Sequence, residues 1–263
     1  MRNLWIFSLC AVLLAAPAIV RSQSGGAAQN TSTAANDDGW HFGVAPYAWL
    51  AGLRGELSTI AGLPPVTVKR SASQVAEDLD STFMFIGQAR KGRYGGLLGF
   101  IYSSTATSGA WPTPEYSTLK TDTQNSTFDV SGFYRAWMWN DAFVDAVLGA
   151  RIWTAKLQTD LGAGTEAARS ASEDRTWVDP MVGAKARRTF GDTGWYVNGF
   201  VFVGGFGAGS DYMWDIDGNV GFQWVPSFAT VIGWRYLDVK YKKDTFVYDV
   251  VQDGLVLAVS FSF

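Results

Sequence analysis

The chain ends with Leu255-Val256-Leu257-Ala258-Val259-Ser260-Phe261-Ser262-Phe263, and the residues of this stretch alternate in character. Successive side chains of an extended strand point to opposite faces, so Leu, Val and Phe at the odd positions share one face. The even positions, which are mostly small or polar, share the other. One face suits hydrocarbon and the other suits a packed interior, so the pattern predicts a strand in the wall of a transmembrane β-barrel.

The composition agrees with a protein whose apolar surface faces lipid. Of the 263 residues, 48% are hydrophobic and only 17% are charged, whereas soluble domains usually carry about 25% charged residues. After the first twenty residues, no apolar run approaches the roughly 20 residues that a membrane-spanning helix needs. Apolar exposure must therefore come from alternating strands. Proteins that bind nucleic acid usually carry a basic surface, whereas this chain has a net charge of −3. Nucleic acid is therefore not expected as a partner.

The beginning of the chain has the features of an exported protein. Arg2 precedes an apolar run and a small-residue cleavage site, so residues 1–22 are predicted to be a Sec-type signal peptide. Residues 23–39 are rich in Gly, Ala, Ser, Thr and Asn without an apolar period, which predicts a flexible mature N-terminus. The barrel is predicted over residues 40–263. Cys10 lies inside the signal, so the mature chain has no cysteine for a disulfide.

From Trp40 onward, strand-like segments alternate with short turns and longer loops. The pattern predicts an all-β fold, a closed antiparallel up-and-down transmembrane barrel of about ten strands, with a range of 8 to 12. The strands must close because an open edge would leave backbone groups unpaired in lipid. In the first long loop, the capping-box spacing of Ser71 and Gln74 predicts a short helix, which either lies on the loop or covers the barrel mouth.

Charged residues inside the strands fall on the face opposite the large apolar residues. A charge at the lipid midplane costs about 2–4 kcal/mol for Arg or Lys, so these residues are predicted to line the lumen. They are Arg90, Asp129, Arg135, Asp145, Arg151, Asp179, Lys185, Arg187, Asp215, Asp217 and Arg235. Because both signs occur, the pattern favours a lumen closed or gated by ion pairs, and the alternative is a narrow charge-lined conduit.

Tryptophans are expected to mark the two membrane interfaces. One set lies at the short turns and comprises Trp137, Trp139, Trp195 and Trp224. A second set lies toward the long loops and comprises Trp153, Trp177 and Trp214. The sequence therefore predicts two aromatic girdles, one at each interface.

The single histidine argues against an enzyme. His41 stands at the start of the first predicted strand, far from the long loops where substrate would arrive. Hydrolytic and acyl-transfer sites on barrels normally use a histidine as general base. The prediction from the sequence is therefore that the chain has no catalytic residues, no metal site and no cofactor.

Three segments resemble recurring segments of small outer-membrane proteins of Gram-negative bacteria. They are residues 90–96 (Arg-Lys-Gly-Arg-Tyr-Gly-Gly), 177–183 (Trp-Val-Asp-Pro-Met-Val-Gly) and 233–239 (Gly-Trp-Arg-Tyr-Leu-Asp-Val). The resemblance implies an outer-membrane location among lipid and lipopolysaccharide, and a porin-like or surface-antigen type of protein. The chain ending is similar to that of other outer-membrane barrels, which implies that Phe261 and Phe263 are an assembly signal for the barrel-assembly machinery.

Two functions remain open at this point. The first is a structural or narrow porin-like barrel that passes small solutes through its charged lumen. The alternative is a surface-exposed interaction or adhesion barrel that acts through its long extracellular loops and has no channel activity. The oligomeric state is not indicated by the sequence.

Overall fold

The computed structural model describes residues 39–58, 66–110, 114–244 and 246–263. The predicted signal peptide, and the predicted flexible segment up to residue 38, lie outside the described residues. Within the described ranges, no helix is long and apolar enough to cross a membrane.

The described residues form strands almost throughout, with one short helix. The elements are β1 (Trp40–Ser58), β2 (Val66–Arg70), α1 (Ala72–Asp78), β3 (Leu79–Lys91), β4 (Tyr94–Ala110), β5 (Tyr116–Met138), β6 (Ala142–Ala163), β7 (Arg169–Thr189), β8 (Trp195–Gly204), β9 (Tyr212–Val225), β10 (Phe228–Lys243) and β11 (Phe246–Ser262).

Ten of these strands close into an antiparallel barrel, which confirms the predicted fold class. From β3 to β11 consecutive strands pair, β3 also pairs with β1, and β11 pairs with β1 from Gly43↔Ser262 to Ser58↔Val247. The final residue takes part in this closure, because Phe42 and Phe263 exchange backbone N–H···O bonds of 2.8 and 3.1 Å. The stretch at the end of the chain therefore completes the barrel wall.

Along the edge that faces away from β11, β1 pairs first with β3 and then with β2. The pairing of β1 with β3 ends at Pro46↔Phe85, and from Leu53 to Leu57 β1 pairs instead with β2. The helix α1 follows β2 and is capped as predicted, with Ser71 N–H donating to Gln74 Oε1 at 2.9 Å and Gln74 N–H donating to Ser71 Oγ at 3.3 Å. The strand β2 was not expected from the sequence, which showed only one long loop there.

Exposed apolar side chains form a continuous band around the outside. Each barrel strand contributes at least one, namely Leu50, Phe83, Leu98, Val130, Leu148, Val182, Val201, Val220, Ile232 and Leu257. In β11 the alternation is as predicted, since Leu257 is 42% exposed and Val256 only 6%. A band of this kind is stable only against lipid, so the barrel spans a membrane.

The short turns after β3, β5, β7 and β9 lie at the same rim as both ends of the barrel. Short turns of transmembrane barrels are periplasmic, so we call this end the periplasmic rim. The exposed tryptophans Trp137, Trp139, Trp195 and Trp224 lie there, as predicted.

The predicted second girdle is partly wrong. Trp214 is 47% exposed on the outer face, but Trp153 and Trp177 are only 4% and 6% exposed and lie inside the barrel. Their parity is the reason, because Trp153 lies two residues from the inward Arg151 and Trp177 two residues from the inward Asp179.

The wall has uneven height. The strands β5, β6 and β7 contain 23, 22 and 21 residues, whereas β8 contains only 10. Above Ile152 the outward residues of β6 become polar, beginning with Thr154 and Lys156, so this part of the wall projects beyond the apolar band. We call the projecting halves of β5, β6 and β7 the extracellular wall.

Candidate functional site

The inward side chains form three layers along the barrel axis. The vestibule layer lies within four residues of the strand ends at the periplasmic rim. The central layer lies seven to ten residues from those ends, and the aromatic layer lies eleven to sixteen residues from them. The period-two alternation of each strand selects which residues enter the lumen, and barrel closure determines which of them meet.

The vestibule layer is rich in cations. Asp145 is fully buried and accepts hydrogen bonds from Arg135 Nε at 2.8 Å and Nη2 at 3.3 Å. Lys185 Nζ lies 3.0 Å from the same carboxylate and reaches across the lumen to Gln88 Oε1 at 3.2 Å. The Asp145 carboxylate therefore pairs with both Arg135 and Lys185. The hydrogen bond from Lys185 to Gln88 links β7 to β3.

Two further arginines line the vestibule. Arg90 is buried and donates from Nη1 to the Gly92 carbonyl at 2.7 Å. The Arg187 guanidinium lies 3.5 Å from the centre of the Tyr196 ring and donates from Nη2 to Gln223 Oε1 at 3.2 Å. Arg187 is thus held by a ring and an amide rather than by a carboxylate.

The central layer is an ion-pair network that crosses the lumen. Arg151 holds Asp129 with two hydrogen bonds of 2.5 and 2.8 Å, and its Nη2 also donates to Asp215 at 2.6 Å. Arg235 holds the other side of Asp215 with bonds of 2.9 and 2.7 Å and donates to the Tyr47 hydroxyl at 3.0 Å. The network therefore runs from β5 and β6 through β9 and β10 to β1.

Burial makes this network sensitive to the loss of any member. Asp215 is 0% exposed, Arg151 1% and Arg235 4%. Ion pairs removed from water are costly unless each charge keeps its partners, and here both oxygens of Asp215 are hydrogen-bonded. Asp217 lies beside Arg235 in the β9–β10 register and accepts a hydrogen bond from Asn219.

Asp179 joins the central layer to the connection between β8 and β9. It is fully buried and accepts hydrogen bonds from Trp153 Nε1 at 2.7 Å, from Ser210 N–H at 2.6 Å and from Ser210 Oγ at 2.7 Å. Trp177 Nε1 donates to the same Ser210 hydroxyl at 2.9 Å. This carboxylate thus fixes the connection against the inner faces of β6 and β7.

Stacked rings fill the lumen above the charges. Trp177 stacks on Tyr241 with ring centres 4.2 Å apart, and Trp153 lies parallel to Trp177 at 5.7 Å. Phe246 and Tyr248 pack against Trp177 at 6.4 and 5.7 Å. The Trp177–Tyr241 contact joins β7 to β10, two strands that are not neighbours in the sheet, so the aromatic layer also bridges the lumen.

The eleven charged residues selected from the sequence all take part in these inner layers, with Asp129, Lys185 and Arg187 less buried than the rest. The structure brings Asp129, Arg151, Asp215 and Arg235 into one cluster and Arg135, Asp145 and Lys185 into another. Phe261 and Phe263 lie on the outer face near the periplasmic rim, and Phe261 packs on Phe228 at 5.4 Å. Their role in assembly stays a prediction.

Sequence reasoning missed several members of the site. Tyr47, Ser210 and Tyr241 carry no charge, so the charge-parity argument did not select them. Parity along β1 and β10 was the available signal for Tyr47 and Tyr241, whereas Ser210 lies in a connection that has no such period. As to metals, no three His, Cys, Asp or Glu side chains gather as possible ligands within the described ranges.

Comparison with known proteins identifies the fold. No protein-family model and no curated protein sequence matches the chain. Among solved structures, the outer membrane protease OmpT from Escherichia coli is similar with a TM-score of 0.55 at 10% identity, over 87% of this chain and 98% of that one. The translocator domain of the autotransporter NalP from Neisseria meningitidis is similar with a TM-score of 0.46 at 8% identity, over 90% and 92% of the two chains. The attachment invasion locus protein Ail of Yersinia pestis is similar with a TM-score of 0.35 at 12% identity, over 86% and 99%.

The likeness to OmpT shows that the chain has the fold of outer-membrane β-barrels. With the apolar outer band, it makes the chain an integral outer-membrane protein in contact with outer-membrane lipid. It also corrects one expectation. The prediction that the chain is not an enzyme was wrong as an inference, because this fold carries a protease and the position of His41 does not exclude catalysis.

Proposed function

We propose that the protein is a closed outer-membrane barrel that presents its extracellular wall to a partner at the cell surface. The first half of this proposal, the closed lumen, is supported by the central layer. A chain of hydrogen-bonded ion pairs runs across the lumen from Asp129 to Tyr47, and the stacked rings of the aromatic layer lie directly above it. A solute would have to separate both layers in order to pass.

The extracellular wall supports the second half. Above Met181, β7 extends for twelve residues beyond its pairing with β8, which is on the order of 40 Å along the strand. Beyond Val178 the outward side chains of this part of the wall are polar and partly paired, as in Ser170 Oγ donating to Asp160 at 2.5 Å and Thr154 lying 3.2 Å from Thr176. A polar sheet that stands above the membrane offers a binding surface.

Planar-bilayer conductance of the refolded protein tests the closed lumen. We expect no stable single-channel steps, with a folded open porin as the positive control. Steps in the unmodified protein that change in Arg235→Ala, but not in Arg54→Ala, would contradict the proposal. Arg54 is the matched control because it is 54% exposed and pairs with Asp253 on the outer face.

A shortened wall tests the binding surface. Leu157 and Glu173 are register partners in β6 and β7, so replacing residues 158–172 with an Asn-Gly turn keeps the pairing below them. We expect the variant to retain heat-modifiable gel mobility and to lose the adhesion of expressing cells to surfaces or to other cells. Full adhesion by a folded variant would refute the role of the wall.

A gated passage is the second candidate function, and one observation favours it. The centre of the barrel is filled with charged side chains, although apolar residues of similar volume often stabilise a core as well or better. Charges that rearrange in pairs would provide a polar path, and the conductance experiment separates this candidate from the first.

A further inference from the structure

We propose that the free edge of β7 above the membrane binds an extended polypeptide segment of another protein, which docks there as an additional strand. This inference rests on the proposed role of the extracellular wall and names the kind of partner that the wall takes. The edge in question runs from Ser170 to Thr176 on the side of β7 that faces away from β6, and we call it the β7 edge.

The first argument is that this side of β7 has no neighbouring strand. The pairing of β7 with β8 ends at Met181. The connection after β8 covers the residues that follow, since Gly205 N–H donates to the Pro180 carbonyl at 3.1 Å and a Cβ at Gly209 would meet the carbonyl oxygen of residue 178. Beyond that point, no strand or loop among the described residues forms backbone hydrogen bonds with the β7 edge.

The second argument is the direction of the backbone groups. In an antiparallel sheet, successive residues of a strand direct their N–H and C=O groups to opposite neighbours. Thr189 N–H donates toward the β6 side, to the Asp141 carbonyl at 2.7 Å, whereas the Pro180 carbonyl faces the β8 side. The β6–β7 register continues without a shift, so even-numbered residues direct both groups to the open side. In the β7 edge these residues are Ser170, Ser172, Asp174 and Thr176.

The third argument is that the β7 edge is accessible and unprotected. All four of these residues are exposed, and they span about 20 Å along the strand. Free edges are commonly blocked by a proline, a β-bulge or a covering segment. The β7 edge contains no proline, its register with β6 has no bulge, and the described part of the chain does not cover it. Such an edge is a template for a further strand.

The fourth argument concerns the partner. Charges beside the edge are paired within the wall, Asp174 with Lys156 at 3.7 Å and Glu173 with Arg175 at 2.7 Å. Recognition therefore rests mainly on the main chain, which another extended backbone complements.

A second copy in the same membrane does not fit this edge. Strands of membrane barrels tilt by about 35–45°, so the edges of two copies related by an axis along the membrane normal would cross at roughly 70–90°. Neighbouring strands of a sheet diverge by only about 20–25°. The partner is therefore a segment of another protein, which is free to align with β7.

A cyclic β-hairpin peptide tests the site. Its docking strand has the sequence of residues 154–160 (Thr-Ala-Lys-Leu-Gln-Thr-Asp), which are the register partners of residues 170–176 in the wall itself. Cyclisation preorganises this strand, and N-methyl groups on the second strand prevent the hairpins from pairing with one another. The fluorescence anisotropy of the labelled hairpin is measured against the refolded protein, and we expect saturable binding.

Prolines in the protein locate the site. Ser172→Pro removes one N–H from the β7 edge and keeps the bonds to β6, because this N–H points away from β6. We expect the hairpin to bind this variant at least about tenfold more weakly. Ala167→Pro is the matched control and keeps the affinity, since Ala167 is exposed in the connection before β7. Heat-modifiable gel mobility shows whether each variant is folded.

A change in the peptide gives the same information if Ser172→Pro does not fold. N-methylation of the hairpin at the positions that correspond to Lys156 and Gln158 removes the N–H groups that would face β7, and we expect a similar loss of affinity. Three outcomes would overturn the inference. They are no saturable binding of the hairpin to the unmodified protein, equal affinities of Ser172→Pro and Ala167→Pro, and undiminished binding of the N-methylated hairpin.

Cell adhesion separates this inference from the proposed function. If the shortened wall abolishes adhesion while the unmodified protein binds no hairpin, the β7 edge is not the binding site and the role of the wall stands. If the hairpin binds and the shortened wall still supports full adhesion, the role of the wall in adhesion is refuted and the β7 edge remains a site for extended peptides.

Discussion

The central layer and the aromatic layer fill the same barrel by different physical means. In the central layer, Asp215 bonds Arg151 and Arg235 at once, so each contact depends on charge and direction. In the aromatic layer, Trp177 touches rings on several strands, and its contacts depend mainly on buried area. A change of charge without a change of shape should therefore destabilise the central layer far more than the aromatic layer.

The largest expected effect comes from Asp215→Asn, which keeps the shape and removes the charge. Arg235 and Arg151 would remain buried and lose their shared carboxylate, so we expect the free energy of unfolding to fall by about 3–5 kcal/mol. Urea unfolding in lipid vesicles, followed by gel mobility, measures it. Asp174→Asn is the control. Its exposed pair with Lys156, at 3.7 Å, should contribute about 0.5 kcal/mol or less. Equal losses in the two variants would show that the buried network contributes no more to stability than an exposed ion pair does.

A smaller effect is expected where the two layers meet. Trp153→Phe keeps an aromatic ring and removes the Nε1–H donor to the buried Asp179 carboxylate, so the free energy of unfolding should fall by about 2 kcal/mol. Trp177→Phe removes a donor to the neutral Ser210 hydroxyl, so about 1 kcal/mol is expected. The same unfolding measurement applies. A larger loss in Trp177→Phe would show that ring area, and not the charged acceptor, dominates at this level.

The success of the strand predictions has a local cause. The direction of a side chain in a strand depends only on its parity, and in a barrel one face meets lipid. The outward Leu257, the inward Arg235 and the closed barrel of about ten strands therefore followed from alternation alone. The capping box of Ser71 and Gln74 was also predicted from local sequence, because its two residues stand only three positions apart. The roles of the lumen residues remain proposals, because placement does not establish function.

The misses had different causes. Trp153 and Trp177 were assigned to the outer girdle from their distance to the loops, although their own parity placed them inside. The strand β2 was missed because it pairs with β1 only where β3 has left that edge, at Pro46. The exclusion of catalysis failed for another reason, since a sequence position cannot show what a fold supports.

Alternation along the sequence is enough to predict a closed transmembrane barrel and to select the side chains that enter it, because the pattern repeats every two residues. The end of the chain carries this alternation most clearly, and in the structure Phe263 closes the wall against Phe42. The folded barrel brings Arg151 to Asp215 across the lumen, and it leaves Arg187 without an ion pair to any carboxylate that the structure describes. Those contacts depend on the stagger between strands far apart in the chain, which no local pattern encodes.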